Sequence, residues 1–152
     1  MAQVVVTNNG ITSANFEVQA QALAPSFFAF NGGPYVAAVH ATGALIGPST
    51  LYPGSTTPAK PGETVLLYAN GFGSTSNPVV SGALTQSGTL SPLPGVTIGG
   101  VAATVTFAGL VAPGQFQFNV VVPASLTNGD QPITATYNGA STQGGLLLTV
   151  YN

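Results

Sequence analysis

Val4-Val5-Val6-Thr7-Asn8-Asn9-Gly10-Ile11-Thr12-Ser13, near the start of the chain, lines up with Ile133-Thr134-Ala135-Thr136-Tyr137-Asn138-Gly139-Ala140-Ser141-Thr142 near its end. Each copy is an apolar and Thr-rich run, an Asn-Gly pair and a second run. Asn and Gly accept the positive φ that a two-residue turn demands, so each copy predicts a β-hairpin. A further strand-like run follows each, Phe16-Glu17-Val18 and Leu148-Thr149-Val150, with Gly144 and Gly145 read as an insertion in the second copy. The second hairpin closes a module. The first closes nothing that is visible in the sequence, and two strands alone are marginal in water. It is therefore expected to be covered by the rest of the chain, by a preceding domain or by another copy. An orphan half-module of this kind suggests a chain cut or processed from something longer.

The remainder of the chain has the same character. Its 152 residues make a one-domain length, and 20 Gly and 12 Pro punctuate short runs rich in Val, Thr, Phe and Tyr. An Ala/Gln linker over 19–25 leads to strands expected at Ser26–Phe30, Tyr35–Ala41 and Ala44–Ile46. A Pro-rich connector spans 47–61. Further strands are expected at Glu63–Asn70, Val96–Ile98, Val101–Phe107, Phe116–Val122, Ile133–Tyr137 and Leu146–Tyr151, with a long polar loop over 74–94. Short strands separated by turn signals predict two antiparallel sheets packed as a sandwich.

Charge narrows the function. Glu17, Glu63, Asp130 and Lys60 are the formally charged residues, 3% of the chain against about 25% in an average protein. Nucleic acid and anionic lipid are held by basic side chains, so one Lys and no Arg exclude both as partners. Sheet edges are ordinarily guarded by Lys or Glu, and low net charge favours association. A surface so poor in charge is either solvated by Ser, Thr, Asn and Gln or covered by neighbours. No apolar run is long enough to insert in a membrane as a helix, and there is no cysteine from which to read a redox compartment.

Four stretches carry a family resemblance. Pro61-Gly62-Glu63-Thr64-Val65-Leu66-Leu67-Tyr68-Ala69-Asn70-Gly71-Phe72-Gly73 resembles the opening of the IPT/TIG immunoglobulin-like domain. Val96-Thr97-Ile98-Gly99-Gly100-Val101-Ala102-Ala103-Thr104-Val105 is similar to that family's Gly-Gly hairpin, Val120-Val121-Val122-Pro123-Ala124 to its Val-Pro strand end, and Asn128-Gly129-Asp130-Gln131-Pro132 to its turn into the penultimate strand. The match spans about 60–151. The wider chain looks like the C-terminal Ig-like region of large secreted bacterial proteins of unknown function. The resemblance implies an all-β, Ig-like (IPT/TIG-type) antiparallel β-sandwich over 23–152, with a TIG-like core at 60–151. Residues 1–22 are then an extra N-terminal β-hairpin ending a preceding repeat. It also implies a secreted, extracellular or cell-surface module without catalysis.

Candidate sites are sparse. His40 and Asp130 with a serine could be imagined as a hydrolytic triad, but no Gly-x-Ser-x-Gly elbow is present, and His40 reads as a strand residue. No catalytic residue, cofactor or metal is expected, because one His, no Cys and three scattered acids supply neither a zinc nor a calcium shell. Lys60 could form an isopeptide crosslink only if desolvated, and its Pro-rich setting predicts a surface charge near Glu63 instead. Tyr52, in the same loop, is the best exposed ring for contact with a glycan. The strongest physical motive is self-association, with main-chain pairing by the unguarded segments Gln3–Thr7 and Asn15–Ala20. Val4, Val5, Val6, Ile11, Phe16 and Val18 are its assembly residues. The expected function is a structural module that assembles into a filament or array by adding this hairpin to a neighbouring subunit, a copy of itself or an adjacent Ig-like domain. The alternative is a carbohydrate- or surface-binding adhesion module.

Overall fold

A computed structural model describes the chain from Met1 to Asn152, Gly32 excepted. Four short strands form the N-terminal hairpin: β1 (Ala2–Val4), β2 (Thr7–Asn8), β3 (Ile11–Thr12) and β4 (Phe16–Val18). The next five are β5 (Ser26–Phe27), β6 (Ala38–His40), β7 (Leu45–Ile46), β8 (Thr56–Thr57) and β9 (Thr64–Asn70). Then come β10 (Gly88–Thr89), β11 (Gly95–Ile98), β12 (Val101–Ala112) and β13 (Gln115–Val121). The chain finishes with β14 (Gly129–Tyr137), β15 (Ala140–Ser141) and β16 (Leu147–Val150).

From β5 onward every strand joins one hydrogen-bonded network, in the order β15-β14-β11-β12-β13-β9-β6-β7-β8, with β10 on β12, β16 on β14 and β5 on β9. Most pairs are antiparallel. Parallel pairing occurs at β7–β8 and at the bridges Tyr35↔Leu147 and Ala59↔Val150. The fold is thus all-β with mixed pairing, consistent with a β-sandwich. Two of its strands lie where loops are expected from composition. Thr56–Thr57 pairs with Leu45–Ile46 inside the Pro-rich connector, and Gly88–Thr89 pairs with Gly109–Leu110 inside the long polar loop.

Period-two alternation builds the core. In β9, Val65, Leu67 and Ala69 are buried between more exposed neighbours, and in β13 Phe116, Phe118 and Val120 do the same. Phe72, immediately after β9, lies in the middle. Its ring centroid is 4.8 Å from that of Phe118, 5.8 Å from Phe116 and 6.2 Å from Tyr137, tilted geometries that aromatic pairs favour. Gly71 makes this turn possible: its φ is +75°, and a Cβ there would lie 1.9 Å from the Ala24 carbonyl oxygen.

β16 is held on both sides. Its antiparallel partner is the first half of β14, in the register Gly129↔Val150 to Pro132↔Leu147. On its other edge Leu147 N–H donates to Pro34 O at 2.8 Å, Val36 N–H to Leu147 O at 3.0 Å and Ala59 N–H to Thr149 O at 2.8 Å. The closing strand therefore ties the early part of the body to its last hairpin.

Candidate functional site: the exposed hairpin

The N-terminal strands pair only with one another among the described residues, β1 with β4 and β2 with β3. The turn is the expected one, with Asn9 at φ 48° and Gly10 at φ 78°, and its counterpart Asn138–Gly139 has φ 46° and 83°. None of the hairpin's side chains belongs to the buried core. Ile11 is 79% exposed, Phe16 69% and Val6 62%, and Val4 and Val5 are exposed as well. Val18 is half-buried. Of the coverings expected from sequence, the body of the same chain does not provide one.

The two hairpins share their strand register and the hydrogen bonds that link Val6 to Ser13 and Ala135 to Thr142. Val6 N–H donates to Ser13 Oγ at 3.1 Å, as Ala135 N–H donates to Thr142 Oγ1 at 2.9 Å. In return Ser13 N–H donates to Val6 O, and Thr142 N–H to Ala135 O, both at 2.9 Å. The pairs Thr7↔Thr12 and Asn8↔Ile11 match Thr136↔Ser141 and Tyr137↔Ala140.

Past the turn, the structure revises the alignment read from sequence. Ala2↔Val18 and Gln3↔Glu17 match Gln131↔Leu148 and Pro132↔Leu147. Val4↔Phe16 matches Ile133 and Leu146, whose N–H and O bond at 3.0 Å. Phe16-Glu17-Val18 therefore corresponds to Leu146-Leu147-Leu148, not to Leu148-Thr149-Val150. The insertion is a single residue, because Ala14-Asn15 occupies the place of Gln143-Gly144-Gly145.

This register sorts the apolar residues by face. Ile133, Ala135, Leu146 and Leu148 are all buried in the core. Their counterparts are Val4, Val6, Phe16 and Val18. Val5 corresponds to Thr134, which lies off the core, and Ile11 sits beyond the turn at the place of Ala140. Four of the six residues expected to mediate assembly thus share the face that, in the closing hairpin, is packed inside the protein.

A second cluster gathers around His40. Its Nδ1 lies 3.1 Å from Glu63 Oε1 and 3.2 Å from Oε2, and its Nε2 lies 2.9 Å from Thr57 Oγ1. The order carboxylate, imidazole, hydroxyl is that of a hydrolytic triad, but the three residues after Thr57 offer no free main-chain N–H to an oxyanion. Pro58 has no N–H, Ala59 N–H is bonded to Thr149 O, and Lys60 N–H is bonded to Glu63 Oε1 at 2.9 Å. The cluster clamps β6, β8 and the start of β9 together, at the edge of a groove of about 570 Å³ that Tyr151 also lines. Sequence spacing could not pair His40 with Thr57 and Glu63, because β6 meets those segments only through the fold.

The remaining candidates are dispersed. Asp130, paired with His40 in the triad imagined from sequence, instead accepts hydrogen bonds from Tyr35 Oη at 3.0 Å and Thr149 Oγ1 at 2.6 Å. That bond, followed by burial and the charge of Asp130, raises the Tyr35 phenol above its ordinary pKa of 10.0. Lys60 is exposed, so it is not the desolvated amine that isopeptide chemistry requires. Its main-chain N–H, not its ammonium, contacts Glu63. Tyr52 is half-buried and edge-on to Phe30, with centroids 5.7 Å apart at 89°. Among the described residues, no group of three or more His, Cys, Asp or Glu is placed to hold a metal ion.

Comparisons with family models, with curated proteins and with solved structures return no match to this chain.

Proposed function

We propose that the chain is a non-enzymatic, extracellular structural module. On this reading its body is an Ig-like sandwich of the IPT/TIG type, and its N-terminal hairpin is the element that joins it to a neighbouring subunit. One observation carries the reading: a hairpin whose Val4, Val6 and Phe16 are exposed, and whose counterparts elsewhere in the same chain are core residues. Exposed apolar surface with unpaired strand edges is an association site. The scarcity of charge supports the same reading, since Glu17 is the one charged side chain in the hairpin. Repeated head-to-tail joining does not close on itself and gives a filament or array.

The experiment compares the full chain with a chain lacking residues 1–20, by light scattering over micromolar to millimolar concentrations and by negative-stain microscopy. The full chain gains mass with concentration. The shortened chain stays a monomer with the same thermal unfolding curve. Equal association by both chains defeats the proposal.

A further inference from the structure

The first hairpin repeats the closing hairpin in strand register, in the Ser13/Thr142 hydrogen bond and in apolar face, and differs from it in having no body beneath it. We propose that it docks on the body of a second copy, at the seat that residues 131–148 fill in the first. This rests on the reading of the hairpin as a joining element, and adds where it lands and in what register.

The resident hairpin displays the seat. On one side β11 borders β14 through Val96↔Ala135 and Ile98↔Ile133, and on the other the backbone of Pro34, Val36 and Ala59 receives β16. The matched register places Val4, Val6, Phe16 and Val18 of the incoming hairpin on the core positions of Ile133, Ala135, Leu146 and Leu148. Its charged side chain, Glu17, falls at the half-buried Leu147 and not at a core position. No ion is buried by the exchange, and Ser13 reproduces the hydrogen bond that Thr142 makes to the opposite strand.

The copy is less well fitted than the original. Asn8 stands where Tyr137 packs against Phe72. Nothing in the first hairpin replaces Gln143, which accepts from Phe27 N–H at 3.0 Å and donates to Phe27 O at 2.7 Å. The resident is also tethered, which gives it a high effective concentration. It therefore holds the seat in an intact subunit and acts as a stopper. Assembly proceeds where that stopper is displaced or absent, and each insertion leaves the next seat pointing onward.

The test empties the seat. A chain ending at Asn128 keeps the first hairpin and lacks the resident one. Val6→Cys and Val96→Cys are introduced into this chain and into the full chain, neither of which has another cysteine. Val6 of one copy and Val96 of the next would reproduce the pair Val96↔Ala135. The truncated chain is expected to form soluble polymers at a concentration about 100-fold or more below that needed by the full chain. Oxidation then gives a ladder of disulfide-linked species on a non-reducing gel.

A truncated chain that stays folded and monomeric, or polymers that give no ladder, overturns the seat. Either result leaves the joining reading to stand or fall on the deletion of residues 1–20. Should the truncated chain precipitate unfolded, a full-length chimera decides, with residues 131–148 replaced by a second copy of residues 2–18. The chimera unfolds cooperatively if the hairpin fits the seat, and a chimera with no cooperative transition overturns the proposal.

Discussion

Phe16 and Leu146 occupy the same place in two copies of one hairpin, and replacing each by Ala measures what the body contributes. Leu146 is 6% exposed. Truncating a buried Leu removes its transfer energy and leaves a cavity, so Leu146→Ala is expected to cost about 3 kcal/mol, within the usual 2–5. Phe16 is 69% exposed, so less than a third of its surface is shielded. Full burial of a Phe is worth about 1.5–3 kcal/mol, which leaves below about 1 kcal/mol for Phe16. That remainder lies within a hairpin that the body's unfolding does not sense. The assay is urea unfolding of dilute full-length protein followed by circular dichroism, the chain having no Trp. With a slope of about 2 kcal/mol/M, Leu146→Ala lowers the midpoint by about 1.5 M. Phe16→Ala leaves it within about 0.3 M on the same slope. A Phe16→Ala midpoint lowered by about 1 M refutes the reasoning, because it means that the hairpin packs on its own body.

Three further outcomes follow from particular contacts. Gly71→Ala forces a side chain at φ +75° onto the Ala24 carbonyl and is expected to cost about 3 kcal/mol or more in thermal unfolding. Gly100→Ala, at φ +77° with open space around it, costs only about 1–2 kcal/mol, and equal effects of the two would discount the Ala24 contact. Glu63→Ala leaves Lys60 N–H and His40 Nδ1 without their acceptor and lowers stability by about 1–2 kcal/mol, whereas an unchanged unfolding midpoint would show the clamp to be idle. For Tyr35 the folded pKa lies above the unfolded value of 10.0, so its contact with Asp130 contributes fully below that pH and is lost as the pH rises through the folded pKa. Phenolate absorbance in the Asp130→Asn variant should lose the late-titrating component, and its persistence would assign that component to another tyrosine.

Much of the fold is legible without coordinates, because alternation and turn chemistry are local. The Asn-Gly and Gly99-Gly100 turns, and the long strands around Val65–Ala69 and Phe116–Val120, lie where the sequence places them. The two-residue strands at Thr56–Thr57 and Gly88–Thr89 do not show in the sequence. Each exists because a distant strand offers it hydrogen bonds, and neither has an apolar pattern of its own. The His40–Glu63–Thr57 clamp is hidden for the same reason: its members lie up to 23 residues apart and meet only across β6, β8 and β9.

The repeat itself is written in the residues, since a hairpin with an Asn-Gly turn forms from neighbours in the chain. Its apolar content is equally plain from Val4 to Val18. The fate of that apolar face is a matter of tertiary structure. Matching positions in two similar hairpins place Leu146 in the core and Phe16 in water, because burial is decided by which strands lie alongside. Register is decided there too: a single inserted residue sets which side chains of the first hairpin match the core of the second. A local pattern specifies a hairpin, and only the surrounding body specifies what it closes.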